Sequence, residues 1–408
     1  MSGRPEFDTI LPVESITIFL GAGSSKPFGY PLTAEIMPLI IERAIEGKLF
    51  ERRSEGPAST NVLPDAAACG VLLRRLGMLF PGVSMQNATS AALPQVTDVL
   101  SLLDRLIADG LGLSAEFRRA DVVETRMLVE RAIAEVLDGP VSDPTLAMSL
   151  RERRRWADAL VTRAERGDEI TIVTTNYDLL FERSLYERLA QGAPVPRASQ
   201  LAESVDYGFD WRLPGYGEHE PVITRPRRPK VRLFKLHGSL NWLRCEVCGY
   251  IYINPRGAVY RQAYREDASI HNSCTCGAWP LRTVLVTPSS VRDIRDFNLL
   301  SVWNSALEAL RTADDWRFVG YSLPGEDVSI RSLLLRAYSG WHGAGERPTV
   351  HAYLHRTEPS GSTTAPPERA RYEALFPGVT IHWGGVAEHI ADLASELAST
   401  PVPNPEDT

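Results

Sequence analysis

Four short apolar runs in this chain each stop in a turn of small or polar residues. ITIFL (16–20) runs into GAGSS, ITIVT (170–174) into TNYD, RLFKL (232–236) into HGS, and WRFV (316–319) into GYSLPGED. Uninterrupted apolar strands of this length belong to sheets buried on both faces, which are parallel α/β sheets. Helical patterns alternate with them, as parallel crossovers require. The expected fold class is therefore α/β, a Rossmann-like parallel sheet covered by helices. Ligands of such sheets bind at the carboxyl ends of the strands, so the four turns are where chemistry is sought.

The rest of the chain fills in around that sheet. Helices are expected over Thr33–Ile45 and Ala66–Leu79. Val99, Leu100, Leu102, Leu103, Leu106 and Ile107 form a stripe at i, i+3, i+4, i+7 spacing. Two more helical patterns cover 115–137 and 144–166. Residues 33–166 thus read as a mainly helical insertion, a lid or an oligomer interface, and 1–32 with 167–408 as the sheet domain. Residues 51–94, rich in Ala, Gly, Pro and Ser, are the least legible, and 191–230 read as a Pro- and Gly-rich excursion. Strands are expected at 282–288 and within PTVHAYLHR and VTIHWGG, with a closing helix over 386–397.

Charge and hydropathy exclude several classes. The formal net charge of −7 leaves no global basic field, so direct nucleic-acid binding is not expected. Two local basic runs, 151–155 and 225–232, read as solvated surface. No apolar run approaches the roughly 18 residues of a membrane span, and MSGRPEFDTI lacks the apolar core of a secretory signal. A cytoplasmic protein without membrane contact is expected.

Gly21 and Gly23 permit positive φ and close backbone approach, and with Ala22 and Ser24 leave room for a diphosphate. Gly29 falls six residues after Gly23, so the spacing is not the dinucleotide fingerprint, and a tight structural turn is the alternative. Asn176 and Asp178 follow the second strand; either can cap the next helix. His237 could equally be structural. Together, an amide, a carboxylate and an imidazole at strand ends suit glycosidic chemistry, which needs dipolar or anionic groups near an oxocarbenium-like sugar and a group to handle a hydroxyl proton.

Cys245 and Cys248 form CEVC, and Cys274 and Cys276 form CTC, with 25 residues between the pairs. Four thiolates in two close pairs suit a closed, structural tetrahedral Zn2+ site. His271 is a rival ligand, and the lone Cys69 reads as a buried hydrophobe. The module is expected over 241–281.

The ordered set resembles the sirtuin family across residues 16–335. GAGSS is similar to its glycine–alanine–glycine phosphate loop, Thr175-Asn176-Tyr177-Asp178 to its Gln-Asn-Ile-Asp motif, and His237-Gly238 to its catalytic pair. The cysteine module stands where a sirtuin carries its zinc ribbon. Gly320-Tyr321-Ser322 is similar to the Gly-Thr-Ser loop on the adenosine side. Two departures stand out. Gly29-Tyr30-Pro31-Leu32-Thr33-Ala34 occupies the place of Gly-Ile-Pro-Asp-Phe-Arg in a deacylase, and no Phe-Gly-Glu follows the module, where 284–290 reads VLVTPSS. The chain looks instead like the divergent bacterial sirtuin-like proteins, several of which cleave NAD+ in antiphage defence.

The resemblance implies NAD+ as substrate and a structural Zn2+. Gly21, Ala22, Gly23 and Ser24 would hold the diphosphate, and Gly320, Ser322 and Asp327 the adenosine side. Asn176, Asp178 and His237 would be the catalytic set. Asn176 would position the nicotinamide ribose and a water, Asp178 would contact the carboxamide, and His237 would hydrogen-bond the ribose hydroxyls or take their proton. Thr175 would belong to the cofactor-binding residues. The implied activity is an NAD+ glycohydrolase, in a homo-oligomer and by analogy with a partner ATPase or nucleic-acid sensor. A protein deacylase and a non-catalytic sensor of NAD+ or ADP-ribose are the alternatives.

Overall fold

The computed structural model describes residues 14–50, 52–53, 62–63, 65–85, 92–139, 148, 150–190, 203–214, 222–255, 257–265, 268–269, 271–286, 296–343, 345–355 and 366–399. Its strands are β1 (Ser15–Leu20), β2 (Arg52–Arg53), β3 (Val62–Leu63), β4 (Glu169–Thr174), β5 (Val205–Asp206), β6 (Trp211–Arg212), β7 (Val222–Ile223) and β8 (Val231–Lys235). They continue with β9 (Gly238–Arg244), β10 (Ile251–Ile253), β11 (Arg282–Leu285), β12 (Asp315–Val319), β13 (Thr349–Tyr353) and β14 (Thr380–His382).

Seven strands form one sheet in the order β14-β13-β12-β1-β4-β8-β5. Every neighbouring pair in it is parallel. From β1 the chain moves outward through β4 and β8, and later returns to fill the other side through β12, β13 and β14. The winding direction reverses between β1 and β12, which makes that boundary the topological switch point. β1 is buried from Ile16 to Leu20 and β4 from Ile170 to Thr174. Helices Leu150–Glu165, Leu180–Leu189 and Gly385–Ser399 pack together against the sheet, as do Phe297–Thr312 and Val328–Ser339.

A second core gathers helices Thr33–Ile45, Ala66–Leu79, Val96–Ala108 and Arg119–Leu137. Of the stripe read from sequence, Val99, Leu100 and Leu103 are buried and Leu102, Leu106 and Ile107 pack partly buried against this core, with Val96 added to it. Leu179 and Leu240 join this core and Tyr177 packs on it, so the helical block abuts the turn after β4. Helix Leu150–Glu165, read from sequence with the 33–166 insertion, instead sends Trp156, Leu160 and Val161 into the sheet's core. Its run of arginines is not wholly solvated either: Arg153 is buried and donates to Glu187 (3.1 Å).

The expected turn after RLFKL is observed, and the chain beyond it is a further strand. β8 ends at Lys235, and Gly238, at φ 79, turns the chain into β9 of a second sheet ordered β11-β9-β10-β6-β7. A Cβ at Gly238 would stand 1.8 Å from the carbonyl oxygen of Val284. Only glycine fits there. Of the expected strand 282–288, Arg282–Leu285 is observed, and 287–290 fall outside the described residues. Among the described residues no helix is long and apolar enough to cross a membrane.

Candidate active site

The sheet register puts the four turns side by side. Leu20 of β1 pairs with Val319 of β12 and with Thr174 of β4, and Thr174 pairs with Lys235 of β8. GAGSS, TNYD, LHG and GYS therefore leave four adjacent strands at one level of the carboxyl edge.

At the switch point the loops after β1 and β12 are pressed backbone to backbone. Gly21 N–H donates to Val319 O (3.1 Å) and Gly23 N–H to Gly320 O (2.8 Å). A Cβ on either Gly21 or Gly23 would stand 2.7 Å from Gly320 O, and one on Gly320 would stand 2.0 Å from Ser24 N. The expected positive φ is absent from the first two: Gly21 has φ −110 and Gly23 lies within the short helix Ala22–Ser25. Gly320 is the residue that takes it, at φ 63. Close approach, not handedness, is what Gly21 and Gly23 supply.

The turn after β4 is tied to the same loop. Asn176 Nδ2 donates to Gly21 O (3.0 Å) and stands 3.1 Å from Ser25 Oγ. Ser25 gives its only hydroxyl proton to Asp178 Oδ2 (2.9 Å), so its oxygen accepts from Asn176. That order fixes the amide nitrogen inward and leaves Oδ1, an acceptor, as the other end of the amide. Asp178 Oδ1 accepts the N–H of Leu180 (2.9 Å), the first residue of its helix. The capping alternative is thus part of Asp178's work. Thr175 N–H donates to Leu20 O (3.2 Å), and Ser24 Oγ to Gly21 O (2.7 Å). Burial, then the nearby charge of Asp178, pushes the Tyr30 hydroxyl up to about 12.

His237 joins across the next strand. Leu236 N–H donates to Thr174 O (2.9 Å), and the imidazole, 5% exposed, has its centroid 6.1 Å from Tyr177 and 6.4 Å from Trp303. Trp303 Nε1 donates to Leu236 O (2.9 Å), and Tyr177 Oη to Val286 O (2.5 Å). On the far side, Asp327 is buried and accepts from Tyr321 Oη (2.8 Å), while Ser322 is exposed. Asn176, Asp178 and the loop from Gly21 to Ser24 are thus in one bonded cluster, with His237 and Gly320 on its flanks. Ser25, Tyr177 and Trp303 were not singled out from sequence; Ser25 and Tyr177 stand inside quoted motifs, whereas Trp303 carries no local signal.

The four cysteines form a separate centre. Their Sγ atoms all lie within 4.8 Å of one another. Cys245 and Cys248 flank one tight turn, closed by Gly249 N–H to Cys245 O (2.9 Å), and Cys274 and Cys276 a second, closed by Gly277 N–H to Cys274 O (2.9 Å). Gly249 and Gly277 have φ 77 and 86. Burial raises the Cys274 thiol, but donors including the Cys276 backbone and Tyr252 Oη (3.2 Å) outweigh it and bring it to about 7. The set fits a metal such as Zn2+, held as four thiolates. His271 is exposed and outside the cluster. Helix Phe297–Thr312 is stapled to this module by Asn298 Nδ2 to Gly249 O (2.8 Å) and Arg244 to Asp296 (2.6 Å).

Residues 170–375 match the family model of a SIR2-like domain. Similar solved structures include a Sir2 homolog–NAD complex, at 13% identity over 94% of this chain and 89% of that one, with a TM-score of 0.42. A Sir2 homologue mutant with 2′-O-acetyl ADP ribose is 13% identical over 95% of this chain and 94% of that one (TM-score 0.41). A Sir2–p53 peptide–NAD+ complex is 13% identical over 94% of each chain (TM-score 0.38). No curated protein matches the chain in sequence.

Proposed function

The chain belongs to the SIR2-like domain family, and from that premise we propose that its carboxyl edge binds NAD+ and hydrolyses it to nicotinamide and ADP-ribose. The observation that carries the reading is the register: four motif-bearing turns leave four adjacent strands at one level, across the switch point.

The diphosphate would lie against Gly21, Ala22, Gly23 and Ser24, with Gly320 and Ser322 toward adenosine and Asp327 supporting that turn through Tyr321. Asn176 would present Oδ1 to the nicotinamide ribose or a water, beside Thr175. His237 would accept a hydrogen bond or proton from a ribose hydroxyl. Asp178 holds the turn, since both its carboxylate oxygens already take protein donors; contact with the carboxamide would add to that role. The C1′–N bond breaks with its electron pair going to nicotinamide, whose ring nitrogen thereby loses its charge and needs no acid. Water then supplies hydroxide to C1′ and releases its other proton to solvent.

Water as acceptor is supported by the missing Phe and Arg of the deacylase loop and the missing Phe-Gly-Glu. A role as an NAD+-depleting effector of antiphage defence, gated in a homo-oligomer or by a partner protein, extends the same reading; the helical block against Tyr177 and Leu179 is the element suited to gating. Family membership favours a second reading, NAD+-dependent deacylation, in which an acyl-lysine oxygen takes the place of water. Incubation with NAD+ separates them. Nicotinamide released without peptide supports hydrolysis; release only with an acylated peptide supports the deacylase; none under either condition contradicts both.

A further inference from the structure

Directly behind the Asn176–Asp178 turn lies an ion pair that neither reaction uses. Lys235, the last residue of β8, and Glu182, in the helix after the turn, are each 2% exposed and 2.5 Å apart. The ammonium also donates to the main-chain carbonyl of Asp178 (2.8 Å). Glu182 is further held by Asn241 Nδ2 (3.5 Å), while burial pushes its carboxyl up against the opposing pull of Lys235. A fully buried pair is generally no more stabilising than apolar residues of the same size, so its presence asks for a local purpose. The purpose available is the carbonyl of Asp178. That residue's two carboxylate oxygens anchor Ser25 and the helix start, and Ser25 in turn orients Asn176.

We propose that Lys235 is a positioning residue for the nicotinamide–ribose end of the site. Its ammonium pins the Asp178 carbonyl and so sets Asn176, and Glu182 cancels its charge so that no net positive charge sits behind a cationic transition state. The proposal rests on the NAD+-cleavage reading.

The test is the full chain carrying K235M/E182Q, which removes both charges together. Expected are a melting temperature close to wild type, KM within about two-fold, kcat lowered about 10- to 100-fold, and faster amide exchange over residues 175–180. Wild-type kcat with unchanged exchange overturns the proposal. If the double variant does not fold, Lys235→Met alone carries the same readouts, Glu182 then taking a proton. If the wild type releases no nicotinamide, the NAD+ reading falls, and exchange over the turn still decides the role of Lys235.

Discussion

The carboxyl edge of the parallel sheet and the four-cysteine module are both small clusters of polar side chains, yet they are held by opposite means. The edge is the end of a continuous core that includes Phe19, Ile172, Leu233 and Phe318, and its loops are fixed by main-chain bonds across neighbouring strands. Among the described residues the module's own cluster is Leu243, Cys245, Tyr252, Val259, Ala263, Cys274 and Leu281, while its Trp242, Ile251 and Ile253 belong to the sheet's core. So few apolar groups cannot offset the entropy of ordering the two cysteine turns beyond that anchor. The order of the two cysteine knuckles therefore draws on a metal held by the four thiolates, whereas the site's order comes from the sheet.

The largest effect should therefore fall on the module. Structural zinc supplies on the order of 10 kcal/mol of folding energy. Cys248→Ala or chelation should release the metal and open the two cysteine turns, 245–249 and 274–277, to protease, while the sheet's melting transition persists. Bound metal by mass spectrometry and limited proteolysis read both; a module that stays protected without metal would break the contrast. At the sheet edge, Gly320→Ala forces a Cβ to 2.0 Å from Ser24 N at φ 63. A loss of at least about 3 kcal/mol in urea unfolding is expected, and a milder loss would mean that the two loops can separate. His237→Ala, which empties a buried position, should lower stability modestly, by about 1–2 kcal/mol, and lower kcat about 100-fold; a kcat near wild type would remove His237 from the chemistry. The smallest effect belongs to Trp303→Phe, which keeps the ring beside His237 but gives up the bond to Leu236, worth about 1 kcal/mol. A several-fold fall in kcat is expected, and a larger fall than at His237 would shift the weight of the site to that helix.

Much of this arrangement could be read in the chain because strand-end motifs are local. An apolar run followed by GAGSS or TNYD reports its own strand and turn, and the paired cysteines report their own knuckles. What could not be read is what depends on partners distant in sequence. Gly21 and Gly23 invited an argument from φ, but their need arises from Gly320, which approaches only once β12 lies beside β1. HGS reads as a turn, but nothing local says that Gly238 sends the chain into another sheet, because the constraint is the carbonyl of Val284. The helix Leu150–Glu165 has the same periodicity as those before it, and only tertiary packing assigns Trp156 to the sheet. Lys235 carries no local signal of its role, because the Glu182 that pairs with it lies 53 residues earlier, in the helix after β4.

The central claim is that the four turns form one NAD+-cleaving site. Its most direct test is nicotinamide release from NAD+ by the purified chain, without peptide, in each size-separated assembly state, beside Asn176→Ala. The account expects release by at least one state of the wild type and its loss, by about 100-fold or more, in the variant. No release in any state, or equal release by Asn176→Ala, would contradict it.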